Sequence, residues 1–130
     1  MVVAAGDGRR FGSDKSVADL GGRPVVAHSV ATASGVSGGV VVVVAPGRIG
    51  EVRPLLVGVD GAVEVVEGGD TRSASVRAGL AAVPDGAEIV LVHDGARPLA
   101  STRLYERVID AVRDGADAVV PCTPVHDSLR

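Results

Sequence analysis

"VVVVVAPG", Val40 to Gly47, decides how the rest of the chain is read. Five successive β-branched residues are poor helix material, because each loses side-chain freedom against the preceding turn, and Pro46-Gly47 stops the run. An apolar run without polar alternation suits a strand buried on both faces, the situation of a parallel strand covered by helices. Upstream, "PVVAHSVATA" from Pro24 to Ala33 spaces its apolar residues at helical intervals, with Pro24 in the first turn and Gly35 at the end. Val2 to Ala5 is a shorter strand that runs into glycine and looks clipped at its start. Downstream, a helix over 49–56 is followed by a strand over 62–66, a helix over 71–83, a strand over 88–92, a helix over 102–113 closed by Gly115, and a last strand over 118–120 stopped by Pro121. Strand and helix alternate, which predicts an α/β domain with a doubly wound, mostly parallel sheet, helices on both faces and right-handed crossovers.

The length of 130 residues suits one domain spanning the whole sequence. Eighteen glycines and 2% aromatic residues describe a core of valine, alanine and leucine. Thirteen Lys and Arg against sixteen Asp and Glu leave a net charge of -3, which argues against general affinity for nucleic acid or an anionic membrane and favours small molecules or protein as partners. A single cysteine, Cys122, excludes an intrachain disulfide and a multi-cysteine zinc cluster, and reads as a small buried residue. With no signal-peptide pattern at the start and no apolar run of the roughly 18 residues needed to span a bilayer, the expected location is the cytoplasm.

In a doubly wound sheet, ligands bind beyond the carboxyl ends of the strands. "AAGDGRRFGSDK" (Ala4 to Lys15), "EGGDTRSAS" (Glu67 to Ser75) and "HDGARP" (His93 to Pro98) each follow a predicted strand, so all three are expected on one edge of the sheet. In the first, Gly6 and Gly8 let the backbone approach anionic oxygens, and Arg9, Arg10 and Lys15 add positive charge, a combination suited to a polyphosphate. It is not a P-loop, and Gly12 comes one residue late for a dinucleotide fingerprint. The plain alternative is a strand-to-helix turn with solvated arginines. Lys15 is the only lysine in the chain, which suggests a place where a compact ammonium serves and a planar guanidinium does not.

In "HDGARP", Asp94 could hold a magnesium ion and Arg97 could grip a second anionic group, or the two could simply pair with each other. His93 reads as a structural, hydrogen-bonded residue. In the middle segment, Asp70 or Thr71 would cap the following helix. Gly68 and Gly69 offer a flat approach for a base or ribose, with Ser75 one turn into the helix as a hydrogen-bonding partner.

Together with "LGGRPVVAHSV", the order and spacing of "EGGDTRSASV" and "LVHDGARP" resemble the 2-C-methyl-D-erythritol 4-phosphate cytidylyltransferases of the non-mevalonate isoprenoid pathway. The resemblance implies a Rossmann-like nucleotidyltransferase fold. It also implies a reaction in which CTP and a sugar-alcohol phosphate give a CDP-alcohol and pyrophosphate, with Mg2+ as cofactor. Carried over by position, Ala4, Ala5, Gly6 and Gly8 line the nucleotide, and Gly69, Asp70 and Ser75 contact cytosine or ribose. Arg10 and Lys15 are the catalytic cations on the phosphates, and Arg97 and Ser128 serve the second substrate. The chain departs from the family pattern at Val3, Asp14, Ser16, Gly95 and Ser128. Because the resemblance spans little more than the first half of the family, it implies a domain incomplete at its C-terminus, and a homodimer where the remainder is present. Related alternatives are a ribitol 5-phosphate cytidylyltransferase, a molybdenum-cofactor guanylyltransferase, or a nucleotide-binding fragment that does not turn over. A Rossmann dehydrogenase fits poorly, since the glycine spacing is wrong and no acidic ribose ligand follows.

Overall fold

The valine run is the central strand of a four-stranded parallel sheet in the computed structural model, which describes residues 1–6 and 15–124. The elements run β1 (Val2–Ala4), α1 (Val25–Ser34), β2 (Val40–Val44), α2 (Ile49–Val52) continued by a 3-10 turn (Arg53–Leu56), β3 (Val63–Glu67), α3 (Arg72–Ala81), β4 (His93–Asp94) and α4 (Thr102–Arg113). All five residues of β2 are buried. Val40, Val42 and Val44 join Val2, Ala4 and Val65 in one cluster with Val26, Val30 and Ala33 of α1, Val52, Leu56 and Tyr105. Val41 and Val43 point the other way, as strand alternation requires, and Val43 lies beneath Gly79 of α3. Helices therefore cover both faces, with α1 and α4 on one and α3 on the other.

The strand order is β3-β2-β1-β4, with Val2 opposite Val42 and His93, and Val42 opposite Val65. The first three strands are laid down in one direction, and the crossover through α3 carries the chain back to the far side of β1. Between β1 and β4 the winding reverses, which is where open α/β sheets form their ligand crevice. The doubly wound reading of the sequence holds.

Two expected strands do not form. Residues 88–92 form no strand: the Leu91 carbonyl accepts from the Met1 amino group at 2.5 Å, but the ladder with β1 holds only His93 and Asp94. The ladder sets Val2 opposite His93 and Val3 opposite Asp94. Residues 118–120, which would need a neighbouring strand in the same region, likewise form no strand. Cys122 follows them and is exposed, not buried as expected. The helix expected over 49–56 is split, because Pro54 lacks the N–H that an α-helix would use and the last four residues tighten into the 3-10 turn. No helix among the described residues is long and apolar enough to cross a membrane.

Candidate functional site

At the carboxyl edge of the sheet the chain brings the ends of β1, β3 and β4 together. Gly68, just after β3, donates its N–H to the Val44 carbonyl at 2.7 Å. A Cβ at Gly68 would stand 2.6 Å from Ser75 Oγ and 3.0 Å from the Ala5 methyl, so only glycine lets the third loop lie against the first. On the other flank, Gly95 donates to the Val3 carbonyl at 2.8 Å, and a Cβ there would meet the Ala4 methyl at 3.0 Å. Ala4 and Ala5 are thus held between the loops that follow β3 and β4. At Gly6, next along, no atom of the described residues stands within 4 Å of where a side chain would begin.

The β3 loop is tied down by Ser75. Its hydroxyl is buried, lies 3.1 Å from the Gly69 carbonyl and 3.0 Å from the Thr71 carbonyl, and accepts from Gly69 N–H at 3.2 Å. In this structure Ser75 shapes the loop from within, while Asp70 is exposed at its tip. Thr71, not Asp70, is the cap of α3: its side chain accepts from Ala74 N–H at 3.0 Å. Glu67 adds a further tie across the edge by accepting from Gly47 N–H at 2.8 Å.

The loop after β4 is a turn closed by Arg97 N–H on the Asp94 carbonyl at 3.0 Å, with Ala96 N–H on Asp94 Oδ1 at 3.2 Å. Arg97 Nε stands 3.5 Å from Asp94 Oδ2, and the Arg97 side chain is 78% exposed. A pair this exposed contributes about 0–1 kcal/mol, so an incoming phosphate can take the guanidinium from the carboxylate at little cost. His93 Nε2 lies 3.1 Å from the Arg97 carbonyl and its ring tilts against Tyr105, with centroids 5.4 Å apart. Burial lowers its pKa.

Among the described residues no group of three or more His, Cys, Asp or Glu side chains is arranged around a metal position. Magnesium commonly takes one or two protein carboxylates and fills its shell with phosphate oxygens and water. Asp94 could serve in that mode, since Oδ1 is fixed by Ala96 N–H while Oδ2, among the described residues, makes the weak, exposed contact with Arg97. Lys15 is exposed and begins the turn that leads to the Asp19–Pro24 hairpin, with its carbonyl accepting from Ala18 N–H. Gly8, Arg10 and Ser128 lie outside the described residues.

One participant went unread in the sequence. Ser29 of α1 is 1% exposed, and its hydroxyl donates to the Gly95 carbonyl at 3.0 Å. Its signal was a polar residue among Val26, Val30 and Ala33, on the buried i, i+3, i+4, i+7 face of the helix.

The 2-C-methyl-D-erythritol 4-phosphate cytidylyltransferase family model matches residues 1–130, the whole of the sequence. The chain belongs to this family. Cytidylyltransferases of that name from Streptomyces coelicolor and Rhodococcus jostii are 45% and 43% identical to it across its full length. The chain spans about half the length of these curated relatives, 51% and 58% respectively. Among solved structures, the 4-diphosphocytidyl-2C-methyl-D-erythritol synthase of Anaerococcus prevotii superposes with a TM-score of 0.75 at 32% identity, over 86% of this chain and 49% of that one. The bifunctional IspDF of Campylobacter jejuni gives 0.70 at 29% identity, over 87% of this chain and 30% of that one. The family's parallel-sheet fold is therefore present here with its strand-end loops converging.

Proposed function

We propose that this chain carries the nucleotide half of a site that transfers a cytidylyl group from CTP to 2-C-methyl-D-erythritol 4-phosphate and releases pyrophosphate. The observation that supports it most is the packing of Gly68 on Ala5 and Gly95 on Ala4 in a chain matched end to end by the family model. That packing brings Ala4, Ala5, Gly68 and Gly95 together at the edge where the sheet's winding reverses.

In the proposed reaction an oxygen of the acceptor's phosphate monoester forms a bond to the α-phosphorus of CTP. The bond from that phosphorus to the bridging oxygen breaks, and pyrophosphate leaves with the electron pair. The attacking oxygen is already anionic, so no strong general base is needed. Catalysis then rests on alignment and on positive charge around the α-phosphate. Ala4, Ala5, Gly6 and Gly8 would supply a close backbone approach, and Arg10 and Lys15 would neutralise the phosphates. Gly69 and Asp70 would meet cytosine or ribose, on a loop that Ser75 keeps in shape. Arg97, with Ser128, would bind the acceptor phosphate after release from Asp94. A magnesium ion held by Asp94 would supply further charge neutralisation on the triphosphate when bound.

Calorimetric titration of the chain with CTP, GTP and ATP in the presence of magnesium, followed by turnover with the acceptor, tests this reading. CTP should bind in preference to the purine nucleotides. Lys15→Ala should lower turnover by about a hundredfold, the scale expected for losing one charge-stabilising contact in a transition state, and Lys15→Arg should not restore it. Equal binding of all three nucleotides, or full activity in Lys15→Ala, would refute it. CTP binding without turnover would favour a nucleotide-binding fragment that works only with further chain.

A further inference from the structure

We infer that Ser29 is a positioning residue for acceptor binding, acting through the Gly95 carbonyl to hold the Asp94–Arg97 turn. The inference rests on the reading of Arg97 as an acceptor ligand. Gly95 sits where the β4 ladder ends: its N–H still pairs with Val3, but its carbonyl faces the interior after the chain has turned away from β1. Within the turn, Arg97 N–H is used on Asp94 and Ala96 N–H on the Asp94 carboxylate. The Gly95 carbonyl takes its hydrogen bond from α1, through the buried hydroxyl of Ser29 at 3.0 Å.

A buried carbonyl deprived of its donor bears a desolvation penalty, and the cheapest relief is rotation of its peptide plane toward water. Here that plane joins Gly95 to Ala96, between the two residues whose side chains form the 3.5 Å ion pair. Gly95 has no side chain to resist the rotation. Ser29 therefore fixes the orientation of the turn that holds Asp94 and Arg97 side by side at the carboxyl edge of the sheet. The β3 loop, anchored separately by Ser75, has no bond to Ser29 among those described, so loss of the hydroxyl should act on one side of the crevice only.

The test compares Ser29→Ala and Ser29→Cys, the latter nearly isosteric but a weak donor, with the unaltered chain. Two readouts are taken: amide hydrogen exchange over residues 93–97 and 40–44, and separate KM values for CTP and for 2-C-methyl-D-erythritol 4-phosphate. Exchange over 93–97 should quicken about tenfold in Ser29→Ala with 40–44 unchanged, and acceptor KM should rise about tenfold with CTP KM within twofold, the scale of one buried hydrogen bond. Ser29→Cys should show the same split at smaller size, and it decides the matter alone if the alanine variant does not fold. Unchanged exchange over 93–97, or equal change of both KM values, would overturn the positioning role. If the unaltered chain binds CTP but turns nothing over, the functional reading fails by itself and the exchange comparison still decides whether Ser29 holds the turn.

Discussion

His93 is tied to the site edge by its neighbours. It is half-buried, its ring rests on Tyr105, and its Nε2 meets the Arg97 carbonyl. Burial is the largest influence and lowers its pKa, against weaker opposing effects from the Arg97 carbonyl and Asp94. The folded chain therefore holds protons on His93 less readily than the unfolded chain, whose imidazole titrates near 6.5. Stability from this residue is intact above that pH and declines as pH falls toward the lower folded-state value, where the loss levels off. Thermal unfolding between pH 7.5 and 5 should show the decline, and His93→Gln should flatten it. An identical slope in the variant would show that other groups, the buried Met1 amine among them, are responsible. Tyr105 titrates at the opposite end, its hydroxyl buried without a partner among the described residues and its pKa pushed up to about 12 by burial.

At the scale of elements, the fit between α3 and β2 gives the sharpest contest between local propensity and packing. Gly79 is buried in the interior of α3, where alanine would ordinarily gain about 1 kcal/mol of helix propensity. A Cβ there would stand 2.6 Å from Val43 Cγ2 and 2.9 Å from Met1 Sδ. Met1 can swing aside, but Val43 is fully buried in the central strand and cannot. Overpacking costs about 1–3 kcal/mol, so Gly79→Ala is expected to destabilise on balance, seen as a lower midpoint in urea at unchanged m. A higher midpoint would mean that α3 lifts off β2 without penalty. The same elements show what a sequence can reveal. β2, α1, α3 and α4 were legible because their pattern is local: a valine run, helical spacing, Thr71 as a cap and Gly115 at positive φ past the end of α4. That 88–92 stays outside the ladder was not legible, because a strand exists only with a neighbour and apolar pattern does not report whether one lies in register. At the site, loop convergence followed from strand order, whereas the Ser29 bond to Gly95 depended on how α1 is rotated over the sheet. That rotation is a property of packing, and a lone serine in an apolar face only hints at it.

On the whole molecule, the two edges of the sheet are unlike. The β3 edge carries Glu64 and Glu67, exposed charges of the kind that keep edge strands from pairing with other chains. The β4 side is the reverse: Val90 and Val92 are 37% and 45% exposed, Val120 is 83% exposed, and the backbone of 88–92 is outside the ladder. Apolar side chains beside backbone outside the ladder invite association, and a net charge of -3 spread over 130 residues opposes it only weakly. The isolated chain is thus expected to self-associate as its concentration rises, through this side and not through the carboxyl-edge crevice. Val90 and Val120 both lie outside that crevice's loops, so the paired change Val90→Lys with Val120→Lys should suppress association while leaving the heat of CTP titration intact. Light scattering from about 10 to 500 μM provides the measure, a span over which exposed-edge contacts become populated. Equal mass for both proteins throughout would show that the β4 side is not adhesive. Loss of CTP binding in the lysine pair would instead tie this side to the crevice, through the His93 turn that connects them.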